Sequence, residues 1–247
     1  MRYLVLADVH ANLEALEACL SHAHARGFDR TLVLGDLVGY GPDPNEAIAR
    51  VRSLNPVAMV RGNHDKVACG LEQPEGFNAV AKRAALWTYD ALTPANRAWL
   101  AALPEGPLML DEYVEICHGS PFDEDAYMFD ELDAVRALKV SQRPLCLFGH
   151  THCPISFQLS QERVETLGST GQPVTRIELV GDSKYLINPG SVGQPRDGDQ
   201  RASYAIADTA AKLVELIRVD YPIDTTQGKI LKAGLPEVLA QRLAVGR

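Results

Sequence analysis

The sequence lacks a long apolar run, paired cysteines and an excess of basic residues. Near its N-terminus the longest purely apolar run covers residues 3–7, too short for the apolar region of a signal peptide or for a membrane span. The five cysteines (Cys19, Cys69, Cys117, Cys146 and Cys153) are odd in number and form no CxxC pair. We therefore expect free thiols in a reducing, cytoplasmic compartment and no membrane contact. The 24 Lys+Arg against 32 Asp+Glu give a formal charge of −8, and this acidity disfavours a long nucleic-acid track.

The length and composition favour one globular domain. The 247 residues allow one large domain or two small ones, and a hydrophobic share of 46% is ordinary for a protein with a packed core. No internal repeat and no linker rich in Pro, Gly or Ser divides the chain, so a single domain over residues 1–247 is expected. No pattern indicates an oligomeric state.

Apolar runs and helix-like stretches alternate in the first half of the chain. The runs are predicted strands, at residues 3–7, 31–34, 57–60, 113–117 and 145–148. Asn12 and Gly27 are typical boundaries for a helix over 12–26, and Pro44 opens a short helix to Arg50. This alternation predicts an α/β protein whose sheet contains parallel strands.

The remaining elements complete a two-sheet architecture. Residues 78–92 and 94–103 are predicted helices that interrupt the alternation as an insertion, which could cover a site. Short predicted strands follow at 155–159, 163–167, 184–187, 203–207 and 213–219, and the C-terminal segment 222–247 is predicted to be helical. We therefore expect two packed sheets flanked by helices.

Polar side chains follow five of the predicted strands at the point where each strand ends. They are Asp8, His10, Asp36, Asn63, His64, His118, His150 and His152. The carboxyl ends of strands in an α/β sheet are where loops converge, so these side chains are expected to meet. If the segments are extended, residues two apart point the same way, and Asp8 with His10, like His150 with His152, offers two ligands. Carboxylate, imidazole and amide oxygen suit Mn, Fe, Zn or Ni.

The donor set is large enough for two divalent transition-metal ions. Two ions about 3.5–4 Å apart can share a hydroxide that attacks phosphorus, and they stabilise the phosphate oxygens. Asp36 stands alone after its glycine and is the natural bridging carboxylate. The seven predicted ligands are Asp8, His10, Asp36, Asn63, His118, His150 and His152. His64 is then left to act on the leaving group, and Asp65 is expected to fix the tautomer of His64.

The same residues resemble the motifs of a known family. In family order, Asp8-x-His10, Gly35-Asp36, Gly62-Asn63-His64-Asp65, His118 and Gly149-His150-x-His152 resemble the calcineurin-like metallophosphoesterases, and residues 188–192 resemble a late turn of the small bacterial members. The resemblance implies a four-layer αββα sandwich with two mixed sheets. It also implies two metal groups, Asp8, His10, Asp36 and His152 in one and Asp36, Asn63, His118 and His150 in the other, with His64 as the catalytic histidine.

One departure from the family bears on the substrate. Where the protein-phosphatase and dinucleotide-polyphosphatase branches continue Gly-Asp with an Asn/Asp-Arg pair whose arginine binds phosphate, this chain has Tyr40. Tyrosine cannot replace the bidentate charge of arginine, so protein-phosphatase activity is in doubt and a phosphodiester is expected to be preferred over a monoester. Four basic residues near the motifs could steer an anion, although each alone is more typical of a solvated surface: Arg61, Lys66, Arg196 and Arg201.

The sequence therefore predicts a dinuclear-metal-dependent phosphoesterase that acts on a small phosphorylated substrate such as a nucleotide. A metal-bridging hydroxide is the expected nucleophile, with His64 assisting the leaving group. Alternatives are a dinucleotide polyphosphate hydrolase, a protein phosphatase, and a non-catalytic scaffold with the same fold.

Overall fold

The side chains of the first strand show how the layers of the molecule stack. In strand β1 (Arg2–Leu6), Tyr3 and Val5 lie in the core between two sheets, whereas Leu4 and Leu6 face a helical layer. Successive side chains of a strand point to opposite faces, so β1 is covered on both sides. The computed structural model describes residues 1–168 and 171–247, and this part contains twelve strands and eight α-helices.

The first sheet is mixed. Its strands are β1, β2 (Arg30–Val33), β3 (Ala58–Met59), β9 (Val174–Glu178), β11 (Ala202–Asp208) and β12 (Leu213–Val219). They lie in the order β3-β2-β1-β11-β12-β9. β1, β2 and β3 run parallel, and the pairs β1–β11, β11–β12 and β12–β9 are antiparallel.

The second sheet repeats this mixture. Its strands are β4 (Leu108–Met109), β5 (Val114–Ile116), β6 (Leu145–Leu147), β7 (Pro154–Ser160), β8 (Arg163–Leu167) and β10 (Lys184–Pro189). They lie in the order β4-β5-β6-β10-β7-β8, with β5, β6 and β10 parallel. Each sheet thus contains a parallel part whose strands end at a common edge.

The described residues form eight α-helices, and several of these cover the outer faces of the two sheets. They are α1 (Leu13–Arg26), α2 (Pro44–Ser53), α3 (Asn63–Cys69), α4 (Ala79–Ala91), α5 (Pro94–Ala101), α6 (Glu131–Val140), α7 (Ile223–Lys232) and α8 (Glu237–Leu243). α1 and α2 pack on the first sheet through residues such as Leu16 and Ile48, and α6 packs on the second through Ala134 and Leu138. The expected α/β architecture of two mixed sheets flanked by helices is confirmed.

The helix boundaries predicted from the sequence hold where a polar cap is present. The Asn12 side chain accepts a hydrogen bond from the Ala15 N–H (3.1 Å), and Gly27 ends α1 with a positive φ. The interpretation missed two helices, α3 and α6, and two strands, β4 and β9. The missed α6 buries Ala134, Ala137 and Leu138, a one-sided spacing typical of a surface helix.

The cysteines and the helix lengths can be compared with the expectations of free thiols and of no membrane contact. All five cysteines are free, and the Sγ atoms of Cys117 and Cys146 lie 3.7 Å apart without a bond. Across the described ranges, no helix combines the length and apolarity that a membrane crossing requires.

Candidate metal centre

The seven predicted donor residues converge at the edge where the parallel strands of both sheets end. They come from the loops after β1, β2, β5 and β6 and from the first residue of α3. Six of the seven are buried and Asn63 is partly buried. The residues are Asp8, His10, Asp36, Asn63, His118, His150 and His152.

A first group of donors contains Asp8, His10, Asp36 and His152, whose ligand atoms all lie within 4.8 Å of one another. His10 Nε2 is 3.5 Å from Asp36 Oδ2, and His152 Nε2 is 3.5 Å from Asp8 Oδ1. The two Nε2 atoms of His10 and His152 are 3.0 Å apart. This spacing places four donors around one small volume.

A second group shares Asp36 with the first. The ligand atoms of Asp36, His118 and His150 lie within 4.8 Å of one another, and Asn63 Oδ1 is 3.3 Å from His118 Nε2. Asp36 Oδ1 accepts a hydrogen bond from the His64 N–H (2.9 Å). Asp36 Oδ2 lies 3.5 Å from both His10 Nε2 and His118 Nε2, so Oδ2 is the oxygen common to the two groups.

Backbone carbonyls fix the tautomer of three donor histidines. Each Nδ1 lies at hydrogen-bond distance from a carbonyl oxygen: His10 from Val38 (3.0 Å), His118 from Leu34 (2.7 Å) and His152 from Gln194 (2.6 Å). A carbonyl can only accept, so Nδ1 must carry a proton, and Nε2 is the nitrogen that faces the centre. The three rings are therefore oriented as metal ligands through Nε2.

His150 is held in the opposite sense. Its Nε2 lies 3.0 Å from the carbonyl oxygen of Asp125, so Nε2 donates and Nδ1 keeps the lone pair. Its backbone N–H donates to both carboxylate oxygens of Asp8, at 3.1 Å each. The ring of His150 therefore belongs to the second donor group, whereas its backbone N–H contacts Asp8 of the first.

The donor chemistry fits divalent transition-metal ions. The tautomers leave two lone pairs, on His10 Nε2 and His152 Nε2, facing each other at 3.0 Å. Burial lowers the pKa of both histidines well below the usual value, so a proton does not readily bridge them. A cation relieves this repulsion and also neutralises the buried carboxylates of Asp8 and Asp36.

The protein groups by themselves single out Asp36 as the carboxylate that stays charged. Burial alone would raise the pKa of Asp36, but the charge of His118 outweighs it and holds the pKa well below its usual range. Burial alone would lower the pKa of His118, but Asp36 and Asp8 outweigh it and raise the pKa to about 10. Burial raises the pKa of Asp8 to about 7 against the attraction of His118. A lowered pKa at Asp36 suits its shared position.

The backbone at five donor residues is left-handed and not extended. The φ angles are 53° at Asp8, 47° at His10, 51° at Asp36, 69° at His150 and 59° at His152. The prediction that residues two apart share a direction along an extended chain is therefore wrong in its geometry. His150 and His152 belong to different donor groups, as the family resemblance implied, whereas Asp8 and His10 belong to the same group.

His64 is enclosed by aromatic rings beside the first donor group. Its ring centroid is 4.3 Å from that of Tyr40, 4.6 Å from Phe77 and 5.0 Å from His10. Burial lowers its pKa to about 4, so the ring is neutral near pH 7. Among residues 1–168 and 171–247, its buried Nδ1 has no hydrogen-bond partner.

Asp65 does not contact the ring of His64 in the way that the sequence led us to expect. Its Oδ1 accepts the Val38 N–H (3.2 Å) and its Oδ2 accepts the Gly62 N–H (3.1 Å). The prediction that Asp65 fixes the tautomer of His64 is wrong, because its carboxylate is turned to backbone donors. Asp65 joins the loop after β2 to the start of α3 and so positions Asp36 and Asn63.

Arg196 is the basic residue that lies against the centre. Its Nη2 is 3.3 Å from the Tyr40 hydroxyl, and its backbone N–H donates to the His152 carbonyl (3.2 Å). After burial, the charge of Arg196 is the largest cause that lowers the pKa of His152. Within the described part of the chain Arg196 forms no ion pair, and its Nε is buried without a partner.

The other three basic candidates are neutralised by carboxylates. Arg61 pairs with Glu105 and Glu124, Lys66 with Glu72, Glu124 and Asp125, and Arg201 with Asp199. Their charges are therefore already paired with carboxylates of the protein and do not single them out as groups that attract an anionic substrate.

The helical insertion and the C-terminal helices form a wall around Tyr40. Ala81 and Ala84 of α4 pack in one cluster with Tyr40 and with Leu239 and Leu243 of α8. The insertion therefore lies beside the His64 side of the centre, where Phe77 precedes α4.

Sequence reasoning missed two aromatic residues on the opposite side. The Tyr127 ring stacks on His150 with a centroid distance of 3.9 Å, and Phe129 stacks on Tyr127 at 5.4 Å. The available signal was a cluster of large apolar residues, Tyr127 to Phe129, between acidic residues and outside any helix or strand pattern.

Comparisons with known proteins identify the family of this chain. The family model of the calcineurin-like phosphoesterase superfamily domain matches residues 1–212. An uncharacterised protein of Methanocaldococcus jannaschii is 39% identical over 251 residues, covering 98% of this chain and 97% of that protein. A metallophosphoesterase from Sphaerobacter thermophilus is 40% identical with a TM-score of 0.88, covering 100% of this chain and 99% of the other.

A more distant structure shows the same fold. A hypothetical protein from Pyrococcus horikoshii has a TM-score of 0.80 at 21% identity, with 100% of this chain and 98% of the other covered. The match of the family model over most of the chain, together with the relatives at 39% and 40% identity, means that the chain belongs to the calcineurin-like phosphoesterase superfamily.

Proposed function

We propose that the protein is a phosphoesterase dependent on two divalent metal ions, with manganese the first to test, and that it prefers phosphodiesters to monoesters. The supporting observation is the convergence of seven donors in two groups that share Asp36 Oδ2. Two divalent cations held by these donors would supply an activated water as the nucleophile and would neutralise charge on the phosphoryl oxygens.

The residues of the chain hold the centre and act on the leaving group. Carbonyl groups lock the histidine rings, so little reorganisation is needed when substrate arrives. His64 is pinned between Tyr40 and Phe77 beside the first donor group. A neutral imidazole still carries one N–H, and we assign this group to the departing ester oxygen as donor.

The preference for diesters rests on Tyr40 and Arg196. A monoester dianion needs more neutralisation than a diester monoanion, and Tyr40 stands where the protein-phosphatase and dinucleotide-polyphosphatase branches of the family have an arginine. The guanidinium of Arg196 is close, but its Nη2 is already near Tyr40 Oη (3.3 Å) and Gln194 Oε1 (3.4 Å). It is therefore poorly placed for a bidentate grip on a terminal phosphoryl group.

The test separates the enzyme from a scaffold of the same fold. Purified protein titrated with Mn, Ni, Zn or Fe is expected to hold about two ions per chain and to hydrolyse bis(p-nitrophenyl) phosphate faster than p-nitrophenyl phosphate. Less than one ion per chain, with none gained on adding metal, would support the scaffold. A clear monoester preference would reject the diester proposal, and cleavage of dinucleotide polyphosphates would appear in product analysis.

Two variants test the residue roles in the same assay. Asp36→Asn should lose turnover together with metal, because the shared oxygen loses its charge. His64→Ala should keep its metal content while its kcat falls about 10²- to 10⁴-fold. Near-wild-type turnover of His64→Ala would contradict its role.

A further inference from the structure

A row of aromatic rings leads from the metal centre to the surface. The Tyr127 ring lies on His150 with centroids 3.9 Å apart and planes inclined by 28°. The Phe129 ring lies nearly parallel to Tyr127, with centroids 5.4 Å apart and an angle of 8°. His150 is 3% exposed, Tyr127 46% and Phe129 56%, so the row runs outward from a donor histidine.

The segment that carries these rings is anchored on both sides. Met128, between them, is buried, and this alternation turns Tyr127 and Phe129 outward. The Asp125 carbonyl accepts from His150 Nε2 (3.0 Å), and its carboxylate binds Lys66 Nζ (2.7 Å). The Phe129 N–H donates to Asp133 Oδ2 (2.9 Å) at the start of α6. The rings are therefore held in place by the fold.

Two exposed, parallel aromatic rings beside a phosphate-binding centre have a specific use. Aromatic side chains form stacking surfaces for nucleobases, and stacking tolerates any base because each has a flat π-face. In a nucleotide the base is one sugar away from the phosphate, so a phosphate held at the donors places its base near Tyr127. Basic charge is not needed here, since the metal centre supplies the attraction for the phosphate.

We propose that Tyr127 and Phe129 form a stacking platform for the base of a nucleotide whose phosphate is held at the metal centre. The proposal rests on the proposed function, because it makes the substrate of that centre a nucleotide ester. An exposed aromatic pair could instead be covered by a second copy of the chain. The contact of Tyr127 with a donor histidine favours a ligand that reaches into the centre.

The test compares two ligands that differ only in the base. AMP and ribose 5-phosphate are titrated calorimetrically into the Mn-loaded protein, and both are used as competitive inhibitors of diester hydrolysis. We expect AMP to bind about tenfold more tightly than ribose 5-phosphate, as a base stacked on one exposed ring face would. Calorimetry needs no turnover, so the platform can be judged even if hydrolysis is absent.

Variants of Phe129 are the most informative, because Phe129 stacks on Tyr127 and it is Tyr127 that stacks on the donor His150. Phe129→Leu keeps an apolar side chain but removes the flat face, so the AMP advantage should fall to about twofold or less, whereas Phe129→Tyr should retain it. Tyr89→Leu, which removes an exposed tyrosine on α4, should leave the ratio unchanged.

Three results would overturn the proposal. The first is an AMP affinity no higher than that of ribose 5-phosphate in the wild-type protein. The second is an AMP advantage that Phe129→Leu leaves intact. The third is a change in oligomeric state on Phe129→Leu, measured by light scattering, with no change in the ligand ratio. If AMP binding depends on the Phe129 ring but the protein does not hydrolyse diesters, the stacking platform is supported and the proposed activity is rejected.

Discussion

Replacing Gly62 by alanine should disturb both donor groups through a single methyl group. Gly62 has φ −113° and ψ 176°, an extended conformation that alanine adopts without strain. A Cβ atom there would lie 2.5 Å from the backbone nitrogen of Asp36 and 2.7 Å from its Cγ, whereas real Cβ atoms essentially never approach within 3.0 Å. Asp36 or Gly62 must therefore move by at least about 0.5 Å.

That displacement is large on the scale of metal coordination. Metal–ligand distances tolerate about 0.2 Å, and Asp36 is shared by both groups, so both lose a well-placed ligand at once. We expect Mn affinity to fall about 10- to 100-fold, as it does when the support of a ligand is lost. Overpacking of a buried site typically lowers the free energy of unfolding by about 1–3 kcal/mol, or about 2–4 °C in Tm per kcal/mol for a chain of this size.

The measurement is a calorimetric Mn titration at 25 °C beside a thermal melt, so that metal loss is separated from unfolding. The matched control is Gly76→Ala, because a Cβ there would meet nothing within 4 Å. The steric reasoning is refuted if Gly62→Ala binds two ions with wild-type affinity, or if Gly76→Ala weakens binding to the same extent.

Three further predictions concern the substrate, the pH dependence and the packing. Tyr40→Phe removes the hydroxyl that lies 3.3 Å from Arg196 Nη2, so kcat/KM for monoesters relative to diesters should rise about two- to tenfold, and an unchanged ratio would contradict the role of Tyr40. Burial raises the pKa of Glu215, but hydrogen bonds from Arg26 and a second arginine outweigh it, so the folded pKa is lowered. The ion pairs of Glu215 stabilise the folded state above the unfolded pKa, and this stabilisation is lost as the pH falls through the folded pKa. In urea titrations Glu215→Gln should therefore be about 1 kcal/mol less stable than wild type at pH 7. A difference of the same size at pH 3 would contradict the role of the ion pairs. Gly228 is exposed within α7 and a Cβ there meets nothing within 4 Å, so Gly228→Ala should raise the free energy of unfolding by about 0.5–1 kcal/mol, and a loss would contradict this geometry.

The donor residues could be identified from the sequence because they depend on residue type and on strand ends. Asp8, Asp36 and His118 each follow a run that is apolar enough to be a buried strand, and such ends meet at one edge of a sheet. Which donors pair cannot be worked out from spacing alone, since the left-handed backbone at His150 and His152 depends on the loops around them.

Other parts of the site depend on contacts between distant residues. Arg196 is distinguished from the other basic candidates only because it has no carboxylate beside it in the described structure, and that is a tertiary property. Asp65 follows His64 in the chain, yet the N-terminal turn of α3 directs its carboxylate to Val38 and Gly62. The two-residue strand β4 is likewise defined by pairing with β5 and carries little local pattern.

The left-handed backbone at the donor residues has a consequence for folding itself. A non-glycine residue in this conformation opposes folding by about 1–2 kcal/mol, and five of the donor residues adopt it. Their sum is of the order of 5 kcal/mol, comparable to the whole net stability of a typical domain. Glycine at any of these positions would adopt the conformation without strain but would remove a donor from the centre. Bound cations would offset part of this cost, because they would favour the folded state in which the donors are assembled.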